Sequence, residues 1–117
     1  MVELTPTSEN GSVIVSRDVL ATIAAKAALE IEGVIAPQDI QFSDFMLAKK
    51  YRGRPYRWVK IEHNDNELEI TISIEVKHGL KVVNISKDIQ NKIKQEVETM
   101  TGLIVSLVNI DLLGVVL

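Results

Sequence analysis

The chain has 117 residues, 46% of them hydrophobic and 25% charged, which fits one globular domain large enough to bury a core of its own. It has no cysteine, which excludes a disulfide framework, a thiolate zinc site and a cysteine nucleophile. Aromatic residues are 4% and the net charge is −3, so the core is aliphatic and the overall charge says little about partners.

Residues 1–10 are polar, contain Pro6 and read as a loose tail ahead of a single domain over residues 11–117. Ser12-Val13-Ile14-Val15 then reads as a short strand. Ser16 is a good N-cap, and Asp18 stands where the helix dipole favours an acid. Val19, Ile23, Ala27 and Ile31 follow at i, i+4 spacing, flanked by Leu20 and Ala24, predicting a helix with one apolar face; Ala21, Ala24, Ala25, Ala27 and Ala28 make it thin enough to lie close on a sheet. Gly33 stops it, and Val34-Ile35-Ala36 resumes as a strand that Pro37 ends. Residues 38–57 show no clear period and read either as a short amphipathic helix or as a loop with apolar anchors.

Trp58-Val59-Lys60-Ile61-Glu62 predicts a strand, and Asn64-Asp65-Asn66 a hairpin turn. Leu68, Ile70, Ile72, Ile74 and Val76 then alternate with Glu69, Thr71, Ser73 and Glu75, the pattern of a strand buried on one face. After Gly79, Ile85, Ile89, Ile93, Val97 and Met100 form the ladder of a second helix, capped by Asn84 or Ser86, with Lys87, Gln90, Lys94 and Glu98 facing water. Gly102 stops this helix, and a strand runs from Leu103 through Val108, Ile110 and Leu112. Ser16-Arg17-Asp18-Val19 and Ser86-Lys87-Asp88-Ile89 open the two helices alike, and each helix ends in Gly and a strand, so the two units play equivalent structural parts. The order β-α-β-β-β-α-β predicts an α+β fold: a two-layer sandwich of mainly antiparallel sheet with two helices on one face.

Catalytic chemistry finds no foothold. His63 and His78 flank the long strand at opposite ends, and spacing places no nucleophile or second ligand beside either. The oxygen-rich stretch Asn64-Asp65-Asn66-Glu67 lacks the spacing of a calcium loop. No glycine-rich phosphate loop occurs, and Glu67, Glu69 and Glu75 fall on a solvated strand face rather than in a cleft. The expectation is a protein that is not an enzyme and takes no metal or other cofactor.

Two features rise above this background. Lys49, Lys50, Arg52, Arg54, Arg57 and Lys60 lie within 12 positions, interleaved with Tyr51, Tyr56 and Trp58; the stretch carries +6 and leaves −9 for the remaining 105 residues. It reads either as a solvated arm or as a surface for an anionic partner, with Lys49, Lys50, Arg52, Arg54, Arg57, Trp58 and Lys60 as the binding residues. The C-terminal run Leu112-Leu113-Gly114-Val115-Val116-Leu117 is apolar at successive positions, as a half-exposed strand is not. Either the monomer buries it, or Leu112, Leu113, Val115, Val116 and Leu117 meet another chain.

Residues 1–12 hold Glu3 and Glu9 but no Lys or Arg, unlike a signal peptide, and the apolar stretches 19–29 and 103–117 are interrupted and shorter than the roughly 20 residues of a membrane span. A cytoplasmic protein is expected.

An ordered set of motifs resembles the alkaline shock protein family, the envelope-stress proteins of Gram-positive bacteria. It comprises Gly11-Ser12-Val13-Ile14-Val15-Ser16, Ile23-Ala24 and Glu32-Gly33-Val34, then Ile74-Glu75-Val76-Lys77-His78-Gly79, Glu96-Val97-Glu98-Thr99-Met100-Thr101-Gly102-Leu103 and Val108-Asn109-Ile110. The resemblance covers residues 11–117 and implies a non-enzymatic, cytoplasmic, self-associating protein of cell-envelope homeostasis. It further implies a homo-oligomer; some relatives of the family are held at the inner face of the membrane by a membrane-anchored protein partner, so such a partner or peripheral membrane contact is the corresponding expectation. It supplies no catalytic residues. A scaffold acting through self-association and partner contacts is the leading expectation. The alternative is a module that binds RNA or single-stranded nucleic acid through residues 49–60; the acidic remainder of the chain and the lack of a Gly-x-x-Gly loop weigh against it.

Overall fold

The long alternating strand is the axis on which everything else is hung. A computed structural model describes residues 2–4, 13–37, 58–64 and 66–117. The strand, β5 (Glu67–Lys77), buries Leu68, Ile70, Ile72, Ile74 and Val76 at no more than 1% exposure and leaves the intervening residues half-exposed. One edge of β5 is shared end to end by two antiparallel neighbours. β4 (Val59–Asn64) pairs from Val59↔Ile72 to Asn64↔Glu67, and β3 (Val34–Ile35) pairs at Val34↔Val76 and Ile35↔Glu75. The other edge is taken along its whole length by β6 (Ile104–Val116), which runs parallel, from Glu67↔Ile104 to Lys77↔Val116. Parallel neighbours need a crossover, and the helix α2 (Val82–Thr101) supplies it.

Among the described residues the helices cover one face of the sheet. α1 (Arg17–Leu29) packs on α2, β4 and β3, while α2 packs on β6, which is the two-layer α+β arrangement expected from the element order. Ser16 caps α1 through its Oγ, which accepts from Val19 N at 3.1 Å. The buried stripe of α1 is Leu20, Ala21, Ala24, Ala25, Ala27 and Ala28, one position round from the predicted one. Val19 is 49% exposed, and Ile23 and Ile31 only edge the core. The alanines let α1 lie close to the sheet, so the small residues, not the branched ones, take the contact.

In α2, Ile85, Ile89, Ile93 and Val97 are buried as the ladder predicts, but Met100 is 65% exposed. The helix starts ahead of both predicted caps, with Lys81 at the N-cap position and no side-chain cap bond. Gly102 ends it in the left-handed region at φ 76°, and Gly33 (φ 93°) turns the chain from α1 into β3.

Val2–Leu4, within the stretch expected to be a loose tail, forms a strand, β1, antiparallel to β2 (Val13–Val15). This pair is a sheet of its own, so β2 does not join the main sheet.

β6 needs two more residues than β5 to cover the same length. The register slips between Leu68 and Glu69, and again between Ile74 and Glu75, leaving Ser106 and Leu113 as the extra residues. At the first slip the Ser106 hydroxyl donates to the Leu68 carbonyl at 3.1 Å, filling the place of the missing ladder bond.

Candidate functional site

Among the described residues β6 forms an edge of the sheet, and its backbone shows how much of that edge is uncapped. In a parallel ladder one residue of each opposed pair turns both backbone groups toward the neighbour, and the other turns both away. Lys77 N donates to Gly33 O at 2.9 Å and Ser73 N to Trp58 O at 2.8 Å, while His78 N donates to Val116 O at 2.9 Å. The odd-numbered residues of β5 therefore face β3 and β4, and the even-numbered ones face β6. The residues opposite the even ones, Val105, Val108, Ile110, Leu112 and Val115, turn their backbones outward.

Two of these five are capped from α2. Glu98 Oε2 accepts from Val105 N at 2.9 Å, and Gln90 Nε2 donates to Val108 O at 3.0 Å. Sequence reasoning assigned both side chains to water; their i, i+8 spacing on the helix stripe above β6 is the signal that finds them. Among the described residues, Ile110, Leu112 and Val115 carry no such cap.

The uncapped half is also the apolar half. Leu112 is 41% exposed, Leu113 49%, Val115 48% and Leu117 fully exposed. Of the two sequence readings of this run, burial within the monomer does not occur. Asp111 is the one charged residue between Leu103 and Leu117, and no proline interrupts the strand. Charges, prolines, bulges and caps are what keep natural edge strands from pairing, and on this half of β6 Asp111 and the bulge at Leu113 are the ones present.

The other predicted surface divides. Lys49, Lys50, Arg52, Arg54 and Arg57 lie outside the described residues, as does the stretch 38–57 that left helix and loop open. Trp58 is half-buried against the core, and its carbonyl receives Ser73 N, so it anchors the start of β4. Lys60 is exposed and pairs with Glu62 at 2.9 Å. Lys60 and Arg17, with Ala21, Val59 and Ile61, line a shallow groove of about 180 Å³ between α1 and β4. On the uncovered sheet face Glu62 stands directly opposite Glu69, an arrangement that like charges disfavour and that the Lys60 ammonium relieves.

The histidines stay apart: His78 is exposed in the turn after β5, while His63 Nε2 is buried with no hydrogen-bond partner. Among the described residues no three His, Asp or Glu side chains gather to hold a metal ion, and no helix is long and apolar enough to cross a membrane.

Residues 5–117 match the model of the alkaline shock protein 23 family, described by a cell envelope-related function. YloU of Bacillus subtilis strain 168 is 27% identical over 106 residues, covering 90% of this chain and 88% of YloU. Spy1614 of Streptococcus pyogenes serotype M6 is 27% identical over 109 residues, covering 88% and 86% of the two chains. YqhY of Bacillus subtilis strain 168 is 26% identical over 105 residues, covering 90% of this chain and 77% of YqhY. All three are described as uncharacterized proteins. No solved structure matches the chain.

Proposed function

The chain belongs to the alkaline shock protein 23 family, whose function is cell envelope-related, and from that membership we propose that it is a non-enzymatic scaffold that works by self-association and by contact with a membrane-held protein partner. The observation that carries this reading is the uncapped, apolar C-terminal half of β6. Exposed aliphatic surface on a strand edge costs solubility and invites pairing. Leu112, Leu113, Val115, Val116 and Leu117 are the residues assigned to self-association. The basic stretch, Lys49, Lys50, Arg52, Arg54, Arg57 and Lys60 with Trp58, is assigned to the acidic partner and to the anionic headgroups at the inner membrane face. Each basic residue near such a surface contributes about 1 kcal/mol.

The test is affinity capture after crosslinking in native cells, comparing the wild type with a variant neutralised at Arg52, Arg54 and Arg57, beside sedimentation of the purified protein. The expected result is an oligomer in both proteins and a membrane-protein partner lost from the variant. A wild-type protein that stays monomeric at high concentration and captures no partner would overturn the reading. Capture of RNA in its place, weakening steeply with salt, would put the nucleic-acid alternative first.

A further inference from the structure

Self-association by an apolar patch and self-association by strand pairing differ in what they ask of the backbone, and β6 satisfies the second. We propose that residues 110–116 of two copies pair antiparallel about a two-fold axis normal to the sheet. Two sheets then become one continuous sheet with both pairs of helices on the same side. The proposal rests on the self-association reading above and specifies its geometry.

Three observations carry it. The outward-facing backbone groups are capped by α2 at Val105 and Val108 and uncapped at Ile110, Leu112 and Val115, so the pairing segment has a defined beginning. The exposed side chains project to both faces of the sheet. Opposite buried β5 residues, Leu112 and Val115 lie on the helix side, while Val116, opposite Lys77, lies on the uncovered side. A strand that covers them must itself be apolar on both faces, and the same segment of a second copy meets that need at matching length. The third observation is charge. An axis between Leu113 and Gly114 sets the outward-facing Leu112 of one copy opposite the outward-facing Val115 of the other, as an antiparallel ladder requires. It leaves the two Asp111 residues roughly 16 Å apart along the strands, from a rise of about 3.3 Å per residue, which is beyond the screening length of about 8 Å at physiological salt.

An isologous contact of this kind uses up the same edge on both partners, so β6 pairing stops at two copies and does not grow into a fibre.

The absence of cysteine makes the test direct. Single cysteines are placed in the full chain at each position from 110 to 116 and oxidised mildly, and the disulfide-linked dimer is quantified. Two copies of one position separate by about 6.6 Å for each residue away from the axis, and a disulfide reaches no further than about 7 Å between Cα atoms. Crosslinking should therefore peak at Leu113→Cys and Gly114→Cys and fall several-fold by Ile110→Cys and Val116→Cys. Leu112→Pro removes an N–H that points away from β5, which an edge strand tolerates. It should abolish the dimer in sedimentation while leaving the far-ultraviolet circular dichroism unchanged. Val115→Lys, which adds an edge charge without touching the backbone, should do the same.

Even crosslinking from 110 to 116 would mean parallel copies and overturn the proposal. Dimers that survive both Leu112→Pro and Val115→Lys would also overturn it. A wild-type oligomer with no crosslink along β6 would overturn the strand pairing and leave self-association through another surface. A wild-type monomer would remove both readings.

Discussion

Gly33 joins α1 to β3 at φ 93°, and its carbonyl is held by Lys77 N at 2.9 Å, so the chain cannot slide to relieve a side chain placed there. An alanine at this position meets two penalties. The left-handed backbone costs an L-residue about 1–2 kcal/mol. The new Cβ would also overlap Leu80 Cδ1, with Leu80 Cγ at 3.7 Å and Ile85 Cδ1 at 3.8 Å behind it. Leu80 is 42% exposed and can turn aside, so the overlap is worth only the cost of an off-rotamer side chain, about 0.5–1.5 kcal/mol. Gly33→Ala should therefore cost about 1.5–3.5 kcal/mol. For a chain of 117 residues the melting temperature moves by about 4 °C per kcal/mol, so a drop of about 6–14 °C is expected. Gly102 has a positive φ of 76° but nothing within 4 Å of an added Cβ, so Gly102→Ala isolates the backbone penalty at about 1–2 kcal/mol. Gly114, with no such φ and open space around it, should tolerate alanine within about 0.5 kcal/mol. Urea unfolding followed by circular dichroism gives all three values. If Gly33→Ala costs no more than Gly102→Ala, or if Leu80→Ala does nothing to reduce its cost, the contact with Leu80 has no energetic role and the reasoning fails.

Three further expectations test the core, the first cap and the link between the helices. Ile72 is fully buried between Val59 of β4 and Ile110 of β6, so Ile72→Ala should cost about 2–5 kcal/mol in urea unfolding. Ser16→Ala removes the only side-chain cap of α1 and should cost about 1 kcal/mol, with Ser16→Asn close to wild type in the same assay. Lys92 Nζ lies 2.7 Å from Glu30 Oε2, and its hydrogen bond and charge hold the Glu30 carboxyl below the usual carboxylate range. A lowered carboxyl contributes its stability above its unfolded pKa and loses it as the pH falls through the lower folded value. The stability gap between wild type and Lys92→Met should accordingly be constant near neutral pH, close in acid below the glutamate range, and narrow with added salt.

The parts of the fold that the residues announced are those where one periodicity acts alone. β5 alternates without a break, and its five aliphatic residues are the buried ones. The Ile85, Ile89, Ile93 and Val97 ladder of α2 is equally plain. In α1 the flanking Leu20 and Ala24 and the close approach read from the alanines hold, whereas the branched residues Val19, Ile23 and Ile31 that the i, i+4 spacing put first lie beside the buried stripe. Met100 stands three residues after Val97 and is 65% exposed, while Thr101, the i+4 continuation of the ladder, is the half-buried residue of that turn. For the candidate site, composition located the segment: the over-apolar end stood out before any fold was known. It did not locate the boundary within it. That boundary is set by Gln90 and Glu98, two polar residues whose sequence context is that of a wet helix face and whose bonds to Val108 and Val105 depend on the parallel crossover. The basic stretch is conspicuous in the sequence, yet only Trp58 and Lys60 of it fall within the described residues.

The two extra residues of β6 set which changes of chain length this protein can absorb. They divide the strand into three blocks, and each slip exchanges which parity of residue faces the helices, from Val105 to Val108, Ile110 and Leu112, and back to Val115. Losing Ser106, the unpaired residue, would still leave Leu107 opposite Glu69 and Val108, Ile110 and Leu112 opposite Ile70, Ile72 and Ile74, so the facing of the middle block survives. Losing Leu113 would likewise keep Val115 opposite Val76. Single-residue deletions at Ser106 and Leu113 should therefore be tolerated better than deletions of the paired residues between them, so the two slips are the places where this strand can change length.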